Sequence, residues 1–188
     1  MKELKYRIIG ETPLIVHNGQ LANPLNPITR QIKKISSKRN KTDADFEEMA
    51  HLEFLGSLYL EDQKPIIPGE MFKATIRNGA KKRKQGQDFI RSVRCPGNFP
   101  IEFNGNTRTP EELWKDKNHR FESMVTIQRN KVLRTRPIFK EWKIEAIILY
   151  DETVLEEADI EAALTEAGEK GFLGDWRGEY GHFSFKKI

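Results

Sequence analysis

Lys73 and Arg77 stand four residues apart in PIIPGEMFKATIRNGAKKRK (Pro65–Lys84), so on a helix they share a face, which Lys81 and Lys84 extend and Lys82 adjoins. Like charges at that spacing repel, and such a row costs stability unless anions neutralise it. A phosphate backbone supplies anions in series, and contact with one is the chemistry this row suggests. GFLGDWRGEYGHFSF (Gly171–Phe185) is the second place of this kind. Its glycines at 171, 174, 178 and 181 let a loop turn sharply or let another backbone come close. Trp176 and Arg177 among them offer a stacking face and a bidentate phosphate donor.

The rest of the charge is unevenly spread. From Arg30 to Lys41 every charge is positive, including Lys33, Lys34, Lys38 and Arg39. From Lys73 to Arg94 only Asp88 interrupts the cations, and Arg129, Lys131, Arg134 and Arg136 form a third group. Asp43–Glu53 and Asp151–Glu169 are mostly acidic, so a net charge of +4 conceals separate basic patches. One run taken alone is as readily a solvated face. Three in 188 residues point to a polyanion whose binding salt should weaken.

An enzyme reading rests on His17. It could act as general base for metal-independent RNA cleavage, with Lys73 stabilising the developing charge. A lone histidine at a strand end is more often structural, and His51, His119 and His182 stand at no helpful spacing. The single Cys95 and four scattered histidines give no zinc pattern, so no metal and no cofactor are expected. Phosphate-loop, nucleophile-elbow and HExxH motifs are absent from the sequence.

These residues need elements to hold them. Leu4, Tyr6 and Ile8 alternate with charged residues and LIVH follows Thr12-Pro13, which predicts a first strand broken at the proline. The segment from Asn18 to Lys41 has weak periodicity and no hydrophobic face of its own, and it reads as a basic excursion, disordered in isolation. Thr42 caps a helix from about Asp43 to Phe54, a short strand precedes the Glu61–Lys64 turn, and a further helix begins at Pro68. Gln85 to Phe99 reads as irregular, and Thr109-Pro110 opens a short helix ending near Lys115. Ser123–Gln128 and Val132–Arg136 suggest a strand pair, Trp142–Tyr150 a clear strand, Asp159–Glu169 a helix, and Tyr180–Phe185 a last strand. Strand, helix, strand, strand, helix, strand is the ferredoxin-like order, which predicts one α+β domain over residues 1–188. The RNA-recognition version of this fold uses the open face of its antiparallel sheet to bind single strands.

Two segments carry a resemblance. The opening stretch, with Ile67-Pro68-Gly69 ahead of Lys73 and Arg77, resembles the IPGSSLKGxxR segment of the RAMP superfamily, whose ferredoxin-like members build CRISPR effector backbones and process their RNAs. Gly171–Phe185 looks like that superfamily's C-terminal glycine-rich loop, which precedes a Y-G-x-F strand. The resemblance implies that residues 18–41 correspond to the inserted thumb. It also implies side-by-side assembly along single-stranded RNA, with other effector subunits as partners. Similar compact sequences look phage-borne. Some relatives carry a catalytic aspartate after the first strand, where this chain has Asn23 and Asn26 and no Asp before Asp43.

The expected function is therefore single-stranded RNA or DNA binding by a self-associating protein. Lys33, Lys34, Lys38, Arg39, Lys73, Arg77, Lys81, Lys82, Arg134, Arg136, Trp176 and Arg177 would meet the strand. An RNA-processing nuclease and a phage-encoded inhibitor that occupies a nucleic-acid groove are the alternatives. No long apolar run occurs and no signal-peptide pattern follows Met1, so a soluble cytoplasmic protein without a membrane partner is expected.

Overall fold

Leu4, Tyr6 and Ile8 are buried and the charged residues between them exposed, so the pleat of the first strand, β1 (Lys2–Gly10), sorts the sequence into a core face and an outer face. The computed structural model describes residues 1–104 and 108–188 of an α+β chain whose strand pairings are antiparallel. After Pro13 the chain continues as β2 (Leu14–Ile15) and enters a second sheet.

The basic excursion is ordered, contrary to the expectation from composition. Asn26 accepts hydrogen bonds from the Ile28 and Thr29 amides and Pro27 occupies the first turn of α1 (Pro27–Ser36). Ile28, Ile32 and Ile35 recur at helical spacing, Ile35 is buried, and α1 packs on α2 (Asp43–Ser57). Three isoleucines among the cations are enough to dock one turn after another. Thr42 and Asp45 close a capping box at the start of α2.

A hairpin of β3 (Leu60–Glu61) and β4 (Lys64–Pro68) leads directly into α3 (Gly69–Ala80). The stretch read as irregular contains α4 (Gly86–Ser92) and β5 (Val93–Arg94), followed by β6 (Asn98–Pro100) and β7 (Glu102–Phe103). Its buried apolar residues, Phe89, Val93, Cys95 and Phe99, stand at no regular spacing and so set no period. Thr109 and Glu112 cap α5 (Pro110–Lys115) as the sequence predicts. A long hairpin follows, β8 (Arg120–Ile127) and β9 (Asn130–Phe139), and then β10 (Trp142–Tyr150), α6 (Glu157–Glu169) and β11 (Phe183–Lys187).

The largest sheet runs β11-β1-β10-β5, with β7 also on β10; β2-β9-β8 and β3-β4-β6 form two smaller ones. The helices α3 and α6 cover one face of the large sheet, where Tyr6 donates to Glu161 at 3.2 Å. Gly79 lets α3 approach α6 to backbone contact, since a Cβ there would meet the Ala163 carbonyl. One continuous apolar core draws on residues from Leu4 to Phe183. The opposite face of the sheet bears no exposed aromatic ring among the described residues. Its charges pair across strands, Arg7 with Glu145 at 2.5 Å and Lys143 with Glu102 at 3.0 Å. A stacking platform on the open sheet face, as the element order suggests, is therefore missing. None of the described helices is long and apolar enough to cross a membrane.

Candidate functional site

The strongest concentration of chemistry lies beside the large sheet, where the hairpin and the glycine-rich loop face each other across an open cleft of about 650 Å³. His17, just past β2, lines it together with Arg134 and Arg136 of β9 and Gly174–Arg177 of the loop; Tyr59, Met71 and Val125 complete it. The loop is stitched along β2. The Asp175 amide donates to the Ile15 carbonyl at 2.8 Å and the Gly181 amide to the Pro13 carbonyl at 3.0 Å. Glycine is required at 181, where φ is +73° and a Cβ would run into the Leu173 carbonyl.

Trp176 itself adopts φ of +51°, an uncommon backbone for a large side chain. Its ring meets Phe121 edge-on at 4.9 Å, and Phe121 meets Tyr180 at 5.5 Å. This leaves Trp176 half-buried, so part of its surface faces the cleft. Arg177 is exposed, donates only to the Gly174 carbonyl at 3.3 Å, and makes no ion pair among the described residues. Of the predicted cations that line the cleft, Arg177 is the one most available to an outside anion.

Arg134 and Arg136 are committed differently. Glu53, buried on α2, accepts from Arg134 at 3.2 Å and from the Thr135 amide at 3.0 Å, and forms an ion pair with Arg136 at 2.6 Å, while Arg136 donates to the Thr135 carbonyl at 3.0 Å. Arg136 also lies 3.6 Å from Asp175, and its side chain is only 7 % exposed. Arg136 is thus a fastening between β9, α2 and the glycine-rich loop, while Arg134, a third exposed, keeps one side toward the cleft. Glu53 escaped the sequence reading because it sits within a run of acidic residues on α2, most of them exposed, and its partners Arg134 and Arg136 are far away in sequence.

His17 faces Ser57 through Nδ1 at 3.4 Å, and its carbonyl accepts from the Tyr59 hydroxyl at 3.2 Å. Burial, and then the Arg136 charge, push its pKa below the ordinary histidine value, which keeps the ring neutral at neutral pH. A neutral imidazole in a cationic cleft can accept a proton.

The remaining predicted residues lie elsewhere. Lys73 and Arg77 are about 160° and 120° around α3 from Met71, the α3 residue that lines the cleft. The Lys73 ammonium donates to the Ile90 carbonyl at 3.0 Å. Lys82 pairs with Glu166 at 2.5 Å and Arg83 with Asp159 at 3.9 Å. The row of like charge that the sequence presents is therefore partly neutralised by the chain's own α6, and Lys81 follows α3 outside the cleft. Lys33, Lys34 and Arg39 are exposed on α1 and just after it, and Lys38 is held to Asp45 at 2.5 Å. That hydrogen bond raises the Lys38 pKa and lowers that of Asp45. The cations thus occupy separate surfaces instead of one groove, and only Arg134, Arg136 and Arg177 border the cleft.

A second, more apolar groove of about 580 Å³ lies behind the Glu53–Arg134–Arg136 wall, lined in part by Ile32, Phe46, Met49, Met124 and Leu133. No group of three or more His, Cys, Asp or Glu side chains that could hold a metal ion occurs among the described residues. Burial pushes the Cys95 thiol up to about 12, which leaves it a packed, unreactive side chain. No protein-family model matches this chain, and none of the curated proteins matches it either.

Proposed function

We propose that the chain binds single-stranded nucleic acid, with the strand's phosphates against Arg134 and Arg177 and a base against Trp176. The observation that carries this reading is the meeting of those three side chains with His17 in one open cleft, although they come from distant parts of the sequence. Guanidinium groups match phosphate bidentately, and an aromatic face in the same cleft can stack on a base whatever its identity. Lys33 and Lys34 on α1, Arg39 just after it, Arg77 on α3 and Lys81 just after that are positive residues outside the cleft and are not needed for this contact.

The ferredoxin-like core and the likeness to the RAMP superfamily belong to the same proposal. In support, β1, α3, β5, β10, α6 and β11 follow one another in the strand-helix-strand-strand-helix-strand order, with the sheet order β11-β1-β10-β5. The two quoted motifs begin α3 and precede β11. Side-by-side assembly along the strand follows from that likeness.

The test is fluorescence anisotropy of a labelled single strand, RNA or DNA, over a salt series. Tight binding with a linear loss of log affinity against log salt, reduced in Arg134→Ala and Arg177→Ala, is the expected result. Salt-independent binding, or binding unchanged in both variants, would refute it. A nuclease reading is favoured by one observation, the presence of His17 in the same cleft as Arg134 and Arg177. RNA cut in the presence of chelator, and left uncut by His17→Ala, would decide for that reading.

A further inference from the structure

We propose that two copies of this chain pair through β8, antiparallel about a two-fold axis at Met124, and so join their hairpins into one sheet of order β2-β9-β8-β8-β9-β2. This interface needs no nucleic acid and stands independently of the cleft.

The strand β8 pairs with β9 alone among the described residues, which leaves one edge of eight residues without a partner. The direction of its backbone groups follows from the turn. Gln128 and Arg129 both have positive φ, +47° and +71°, the conformation of a two-residue type I′ hairpin turn. Ile127 and Asn130, the closing pair, exchange both hydrogen bonds, and pairs two residues apart along the ladder do the same. The amides and carbonyls of Glu122, Met124 and Thr126 therefore point away from β9. All three residues are exposed.

Edge strands in soluble proteins are commonly guarded by lysine, proline or a bulge. The sequence RFESMVTI has no lysine and no proline, and the register runs unbroken from Arg120 opposite Pro137 to Ile127 opposite Asn130. An edge of this length, without proline or bulge and with Arg120 and Glu122 as its only charges, suits strand addition.

The side chains select both the occupant and the register. Met124 and Leu133 are cross-strand neighbours, 58 % and 43 % exposed. With Met124 opposite Met124 of the second copy, they become one apolar row, Leu133–Met124–Met124–Leu133. The same register sets Glu122 opposite Thr126 of the other copy. Thr126 is itself paired with Lys131, so Glu122 lies about 10 Å from that lysine between Cα atoms, within reach of the two long side chains. The two-fold axis repeats this contact. Sliding the register toward Glu122 breaks the apolar row and brings Arg120 across Thr126 from Lys131, a like-charge pair. A self-complementary patch of this kind closes as a dimer.

Sedimentation equilibrium on the full chain without nucleic acid should show a mass rising with concentration to twice the monomer's 21.9 kDa. Amide exchange by NMR should slow at Glu122, Met124 and Thr126 as the dimer forms. Met124→Lys puts two like charges on the axis and should weaken the dimer about tenfold or more. Glu122→Lys and Lys131→Glu should each weaken it, and the double variant should restore it, a recovery that misfolding does not produce. A monomer at all concentrations, a dimer whose three edge amides stay unprotected, or a double variant no better than the singles would overturn the proposal. Large species seen only with added nucleic acid would also overturn it, while favouring assembly along a strand.

Discussion

Arg136 and Glu53 lie 2.6 Å apart with both side chains almost closed to solvent, one on β9 and the other on α2. The same Glu53 oxygen faces Arg134 at 3.2 Å, and its second oxygen holds the Thr135 amide at 3.0 Å. Through Asp175 the network reaches the glycine-rich loop. A carboxylate that bridges two arginines in this way sets the cleft wall before any ligand arrives, and it divides the two arginines by role.

Removing Arg136 would leave the buried Glu53 carboxylate with only Arg134 and the Thr135 amide, and breaking a buried pair from one side costs up to about 3–5 kcal/mol. Arg136→Ala should lose stability of that order in urea unfolding, whereas Arg177→Ala should unfold like the wild type. Equal midpoints for all three proteins would show that the network does not anchor the fold.

Arg177→Ala should instead weaken single-strand binding and lower the salt slope by about one, the signature of one lost phosphate contact. Lys82→Ala, which removes a cation already held by Glu166 away from the cleft, should leave the slope where it was. A larger effect from Lys82 than from Arg177 would move the binding surface to α3.

The His17 ring has its pKa lowered in the folded chain, first by burial and then by Arg136. The unfolded chain therefore takes up a proton at higher pH than the folded one, and stability falls as pH drops below about 6.5 toward the folded value. Above that range the contribution is complete. His17→Gln should lose less stability than the wild type between neutral and mildly acidic pH. Parallel pH–stability curves would contradict this account of His17.

Gly178 and Gly181 both have positive φ, but a Cβ at 178 meets nothing within 4 Å while one at 181 collides with the Leu173 carbonyl. Gly178→Ala should cost about 1–2 kcal/mol, the backbone term alone. Gly181→Ala should cost distinctly more and displace Trp176 and Arg177, read as a change in tryptophan emission. Equal costs would mean that the loop relaxes freely.

Much of this was legible in the residues. The alternation in β1 and β10, the caps at Thr42 and Thr109, and the apolar side of α6 are local patterns, and each element appears within a few residues of its expected place. The order of α1 was not legible, because Ile28, Ile32 and Ile35 acquire meaning only when α2 is there to receive them. The same limit separates the cations. Lys82 and Arg134 look alike in sequence, yet their partners Glu166 and Glu53 lie more than eighty residues away. Charge runs report where cations are, and only tertiary pairing decides which of them remain free.

Strand β1 is far in sequence from both strands that pair with it. Strand β1 lies between β10 and β11, which begin at Trp142 and Phe183. During synthesis Leu4, Tyr6 and Ile8 stay without their sheet neighbours until β10 and β11 have emerged. Closing so large a loop makes this docking step slow, and it leaves an apolar segment exposed to chaperones in the meantime.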